Sequence, residues 1–134
     1  MVRELVSRRT VVATTVGLPV ALAGCLSDGS CETVVDETET IERSDIQIYD
    51  VDAEAGQRLY LRLHRIEGPR ARLAVFDPDE EPLVELRDVE RIERTVDLTD
   101  TGRYSVVTEN NSRTDAGRWL TTLVVYRGWC SDVF

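Results

Sequence analysis

Polar and apolar residues alternate along most of the chain after residue 31, and the alternation is that of half-buried strands. The clearest stretch covers 58–64, where Leu59, Leu61 and Leu63 fall on one side and Arg58, Tyr60, Arg62 and His64 on the other. A period of two sustained this long predicts an antiparallel strand with one face in a core. Residues 70–76 repeat it, with Ala71, Leu73 and Val75 set against Arg70 and Arg72. Upstream, 32–42 mixes β-branched and charged residues, as suits an edge strand whose charges discourage further pairing. Ile46 and Ile48 then alternate with Asp45 and Gln47 in a strand over 46–51. Downstream, 82–87, 92–98, 105–109 and 119–127 complete the series. Ile92, Val96 and Leu98 share one face of the 92–98 strand, and Trp119, Leu123 and Val125 share one face of the last. Turn residues separate these segments: Glu54-Ala55-Gly56, Gly68-Pro69, and Asp77-Pro78-Asp79-Glu80 with proline at its second position. Residues 80–93 carry enough charge to resemble a surface helix, but no window here keeps a helical period. Strands separated by turns roughly every eight to twelve residues predict an all-β fold, a single antiparallel β-sandwich of jelly-roll type over 31–130. Residues 131–134 are then a C-terminal tail.

The start of the chain follows another pattern. A short basic segment ends in Ser7-Arg8-Arg9, and an apolar run over 11–22 follows. Gly17 and Pro19 interrupt that run, which is short for a membrane span of about 20 apolar residues. Ser7-Arg8-Arg9-Thr10-Val11-Val12 resembles a twin-arginine export signal, with Arg8 and Arg9 as its pair. Leu22-Ala23-Gly24-Cys25 resembles the lipobox of a secreted lipoprotein. The resemblance implies a cleaved signal over 1–24, a lipid on Cys25 that holds the protein to the extracellular face of the cell membrane, and a short tether over 25–30. Twin-arginine export also implies folding before crossing. The chain has three cysteines, an odd count for an exported protein. Assigning Cys25 to lipid leaves Cys31 and Cys130 as an expected disulfide in an oxidising compartment. Closing a loop of about 100 residues contributes roughly 4–5 kcal/mol in the chain-entropy model.

Over its 134 residues the chain carries a formal charge of −9, and all 16 of its basic side chains are arginine. Such an acidic balance repels nucleic acid and anionic head groups, which excludes binding either through a basic patch. Acidic excess without lysine resembles proteins of halophilic archaea, whose carboxylates keep the surface hydrated in brine. Candidate chemistry is sparse. His64 is the single histidine, a metal site or Ser-His-Asp triad needs partners that it alone does not identify, and no Gly-x-Ser-x-Gly elbow is present. The chain is therefore expected to be no enzyme and to carry no metal or cofactor. Asp77, Asp79, Glu80 and Glu81 offer oxygen ligands to calcium or simply form a hydrated turn, and the spacing of a calcium loop is missing. Arg58, Arg62, Arg70 and Arg72 with Tyr60 form either a platform for anions and sugars or a solvated face paired with carboxylates, the second being expected. Asn110-Asn111-Ser112 is a glycosylation sequon in an expected loop, which makes Asn110 a candidate glycan site.

Over 44–127 the order of signals resembles the bacterial pre-peptidase C-terminal domain. Asp52-Ala53-Glu54-Ala55-Gly56-Gln57 is similar to that family's v-x-x-G-q turn, and Ala74-Val75-Phe76-Asp77-Pro78-Asp79 to its l-x-D-P-d strand end. Thr101-Gly102-Arg103-Tyr104 is similar to its t-G-x-Y corner, and the run from Asp100 to Tyr104 also resembles a tyrosine corner. Glu80 departs from the pattern, standing where the family commonly has glycine. The resemblance implies a sandwich whose first and last strands share a sheet, which suits a Cys31–Cys130 bridge. It also implies an accessory or binding module without catalytic residues. The expected function is a lipid-anchored envelope module that binds a protein or glycan. The alternatives are a substrate-capture subunit of a transporter and a small secreted hydrolase.

Overall fold

The computed structural model describes residues 6–12 and 30–130, the side chains from Cys31 onward. Eight antiparallel strands build two facing sheets. They are β2 (Ser30–Ile41), β3 (Ile46–Ala53), β4 (Arg58–Glu67), β5 (Ala71–Phe76), β6 (Pro82–Val89), β7 (Arg91–Asp97), β8 (Gly102–Glu109) and β9 (Gly117–Arg127). One sheet has the order β2-β9-β4-β7, and the other runs β3-β8-β5-β6 and adds β1 (Val6–Val12) along β3. Consecutive strands cross from sheet to sheet except at the β5–β6 hairpin, which is the jelly-roll arrangement. No helix of the described residues is long and apolar enough to cross a membrane.

The alternation of the sequence becomes the two faces of each sheet. Leu59, Leu61, Leu63, Trp119, Leu123 and Val125 meet Tyr49, Val51, Leu73, Val75, Tyr104 and Val106 in one core, all essentially shielded from solvent. β3 departs from expectation. Its core face carries Gln47, Tyr49, Val51 and Ala53, so Ile46 and Ile48 lie on the outer face. A strand of period two offers only one face to the core, and here Tyr49, Val51 and Ala53 take it.

The turns carry the signatures seen in the sequence. Gly56 has φ +94°, Gln57 N–H donates to Glu54 O at 3.1 Å, and Gly56 N–H donates to Leu98 O. Asp77 Oδ1 accepts the N–H groups of Asp79 and Glu81 at 2.8 and 2.9 Å, so the acidic cluster is first of all a turn. Glu80 sits at φ +64°, the left-handed region that favours glycine. Tyr104 completes a tyrosine corner: its hydroxyl donates to Asp100 O at 2.6 Å and accepts from Asp100 N–H at 3.0 Å.

β9 is buried on its outer face as well. Tyr60, Val124, Tyr126 and Cys130 form a second, smaller apolar cluster where the chain folds back over the sheet. Cys31, in register with Tyr126, is joined there to Cys130 with a Cα–Cα distance of 5.5 Å. The expected disulfide thus links the sheet's edge strand to the end of the fold. The tail at 131–134 lies outside the described residues, as do Cys25 and the rest of the tether ahead of Ser30.

Residues 6–12 were assigned by sequence to the export signal. Here they lie parallel to β3, with Val6 opposite Ile46 and Val12 opposite Asp52. A β-branched segment has taken the one edge that the antiparallel strands of this sheet leave open beside β3.

Two outcomes follow from this packing. A Cβ at Gly117 would overlap the Trp119 indole, so Gly117→Ala should cost about 1–3 kcal/mol by overpacking, read from urea denaturation; an unchanged midpoint would contradict the tight contact. Replacing Cys31 and Cys130 together by serine should lower unfolding free energy by about 2–5 kcal/mol, and a loss under about 1 kcal/mol would show that the bridge adds little.

Candidate interaction surfaces

The residues singled out by sequence do not converge on one centre. His64 lies on the outer face of β4, opposite Arg91. Arg58, Arg62, Arg70 and Arg72 do not share a face, as expected from sequence, but divide between the sheets. Arg58 and Arg62 stand on β4, while Arg72 stands on the outer face of β5 and Arg70 just ahead of it. Arg58 pairs with Asp97 at 3.2 Å, Arg70 with Glu90 at 3.1 Å, and Arg72 with Glu109 at 3.1 Å. The paired, solvated reading holds for Arg58, Arg70 and Arg72 but not for Arg62, whose Nε is buried without a partner among the described residues. The platform is corrected, because β4 and β5 belong to different sheets.

Asn110 is also corrected. It is fully buried, and its Nδ2, the atom a glycan would occupy, donates to Ile41 O at 3.0 Å and Asp115 O at 2.9 Å. Its Oδ1 accepts Ser112 N–H. The sequon is a loop-locking asparagine, and attaching a sugar would break bonds that satisfy two backbone carbonyls. Of the acidic cluster, Asp77 and Asp79 bring a carboxylate oxygen each to within 4.8 Å of one from Asp100, while Glu80 and Glu81 are outside that group. Arg8 and Arg9 fall in β1, in register with Ile48 and Tyr49.

Two surfaces stand out instead. The first is a groove of about 410 Å³ on the outer face of β3, β8 and β5. Ile48 and Val107 form its apolar floor as cross-strand neighbours, Phe76 and Pro78 one wall, and Arg103 and Ser105 its polar rim. Arg103 is held by Asp52 at 3.1 Å, and Ser105 Oγ donates to Asp50 Oδ1 at 3.0 Å. The outward phase of β3, hidden from sequence reasoning, makes this floor.

The second lies between β2 and β3, where the edges of the two sheets face each other. A cleft of about 250 Å³ there is bordered by Glu37, Glu39, Glu42, Asp45 and Gln47. The Tyr49 hydroxyl lies 2.6 Å from Glu39 Oε2 and 2.9 Å from Glu37 Oε2, so two carboxylates converge on one phenol proton. Gln47 is 4% exposed, and its Nε2 has no partner among the described residues. Burial, followed by the two glutamates, pushes the Tyr49 phenol well above its ordinary range. No sequence signal marked this cleft, because Glu37 and Glu39 looked like outward charges of an edge strand.

No family model and no curated protein sequence matches the chain. Solved structures do share its fold. The pre-peptidase C-terminal domain of a collagenase from Bacillus anthracis aligns over 92% of this chain and 98% of its own, at 8% identity and a TM-score of 0.57. A mutant of PliG, a periplasmic inhibitor of g-type lysozyme from Escherichia coli, aligns over 89% and 98%, at 11% identity and 0.51. PliG of Salmonella Typhimurium, an inhibitor of the same kind, aligns over 87% and 97%, at 12% identity and 0.50. At such identities the likeness establishes the β-sandwich fold, which the pre-peptidase C-terminal domain shares.

Tyr60 and Tyr104 are, like Tyr49, raised above the ordinary phenol value, chiefly by burial. The unfolded chain therefore loses these protons first, near pH 10, so stability is fully present below about pH 10 and falls as pH climbs beyond it. Denaturant midpoints should hold up to about pH 10 and drop as pH rises from there to about pH 11, and Tyr49→Phe should flatten part of that slope. A midpoint that is level across this range would contradict the buried, protonated phenols.

Proposed function

We propose that the protein is a non-enzymatic, lipid-anchored β-sandwich that acts as a binding module at the outer face of the cell membrane. The observation that carries this reading is the Cys31–Cys130 bridge, which uses two of the three cysteines. The remaining Cys25 sits in a lipobox-like sequence behind a twin-arginine pair, Arg8 and Arg9. β2 begins at Ser30, so the sandwich starts within a few residues of the anchor.

Binding is favoured over catalysis by how the polar side chains are spent. Asp77, Tyr104 and Asn110 hold turns and loops, and the single histidine faces Arg91 across an outer sheet face. Surfaces with room for a partner include the shallow groove, the acidic cleft and an open hollow of about 520 Å³ beside His64 and Arg91. Periplasmic lysozyme inhibitors of the same fold provide a precedent for a sandwich that works by binding in the envelope. The lysine-free, acidic composition suits a surface exposed to brine.

Cell fractionation tests the anchor. The full-length chain should stay with membranes through a high-salt wash and leave with detergent, whereas Cys25→Ser should appear in the soluble or medium fraction. Retention of Cys25→Ser on salt-washed membranes would overturn lipid anchoring.

A further inference from the structure

The edge of β3 and the acidic cleft beside it form one continuous feature. Along the edge the backbone already supports a neighbour over the whole register from Val6–Ile46 to Val12–Asp52. Its occupant, β1, runs parallel, the pairing that is slightly less stable per residue. Such a strand is held largely by being part of the same chain, which gives it a high effective concentration. Cleavage ahead of Cys25 would remove that advantage and leave β3 with unpaired N–H and C=O groups, a template for another strand.

The side chains at this edge specify what that strand should carry. Glu37 and Glu39 meet at Tyr49, and the residue of β1 in register with Tyr49 is Arg9. Glu42 and Asp45 add negative charge along the same cleft. Arginine, with its planar fork, suits a pair of carboxylates better than any other side chain. Gln47 borders the same cleft, and its buried Nε2 has no partner among the described residues, which marks this end of the core as polar.

We propose that the β3 edge and the acidic cleft between β2 and β3 form a docking site for an extended, arginine-bearing segment of a protein partner, which adds to the sheet in the place that β1 holds in the full-length chain. Backbone pairing supplies the affinity, and the carboxylates at Tyr49 select for arginine. The inference deepens the binding-module reading and rests on it, but it does not depend on the lipid.

The test uses the full-length chain and a fluorescent peptide with the sequence of residues 5–13, Leu-Val-Ser-Arg-Arg-Thr-Val-Val-Ala. Ser7→Pro with Thr10→Pro removes amides at positions of both parities and should expel β1 from the ladder. This variant should bind the peptide at least about tenfold more tightly than the unaltered chain, in which β1 competes. Adding Glu37→Gln and Glu39→Gln should weaken binding about tenfold, as should a peptide with both arginines changed to glutamine. Hydrogen exchange provides the second measurement: amides of 46–52 should lose protection in the proline variant and regain it with peptide, while the β4 and β9 amides stay protected. Equal affinity for both chains, or binding indifferent to the glutamates, would overturn the proposal. Absent peptide binding alongside Cys25-dependent membrane retention would overturn this docking site and leave the anchor reading standing. Peptide binding with Cys25→Ser still retained on membranes would overturn the anchor alone.

Discussion

Strand β9 is buried on both faces, and the rest of the sandwich depends on that. Its core face sets Trp119, Leu123 and Val125 against the other sheet, while Val124 and Tyr126 on its outer face are covered by the chain as it returns to Cys130. It pairs along its length with both β2 and β4, so it positions two of the other three strands in its sheet directly. A central strand buried on both faces tolerates no slip in register, because a shift of one residue would exchange its two apolar sets. The disulfide between β2 and the end of the chain keeps the outer cover in place.

The opposite character appears at the end of the core near β2 and β3. Gln47 and Thr108 from one sheet, and Trp119 and Thr121 from the other, each bury a polar atom that has no partner among the described residues. Buried polar groups are nearly always satisfied, so several together mark an end of the fold that was not built for stability alone. That end opens into the acidic cleft, whose border includes Gln47. The apolar, fully packed centre holds the fold, and the polar edge is where the proposed partner segment would dock.

Much of this architecture was legible in the chain. All eight antiparallel strands appear where alternation placed them, the Asp100–Tyr104 run forms its corner, and Cys31 meets Cys130. Glu80, which broke a familiar turn pattern, still adopts the left-handed backbone that the turn requires. The failures have a common cause. Ile46 and Ile48 looked like core because they were apolar, but Tyr49 and Val51 compete for the same side of β3 and win it. The four arginines looked like one surface because they are close in sequence, but a jelly roll sends β4 and β5 to different sheets. Asn110 looked like an exposed sequon because loops are usually solvated, but its amide has carbonyls to satisfy.

By itself the sequence determined the period and extent of the strands, the turns between them, the acidic surface and the supply of three cysteines. These are local properties, written in alternation, in turn chemistry and in composition. Only the tertiary structure decided which face of β3 is inside, that Glu37 and Glu39 converge on Tyr49, and that the edge of β3 lies beside them. Those outcomes depend on which strands become neighbours, and neighbours in a jelly roll are set by long-range pairing that no local pattern encodes.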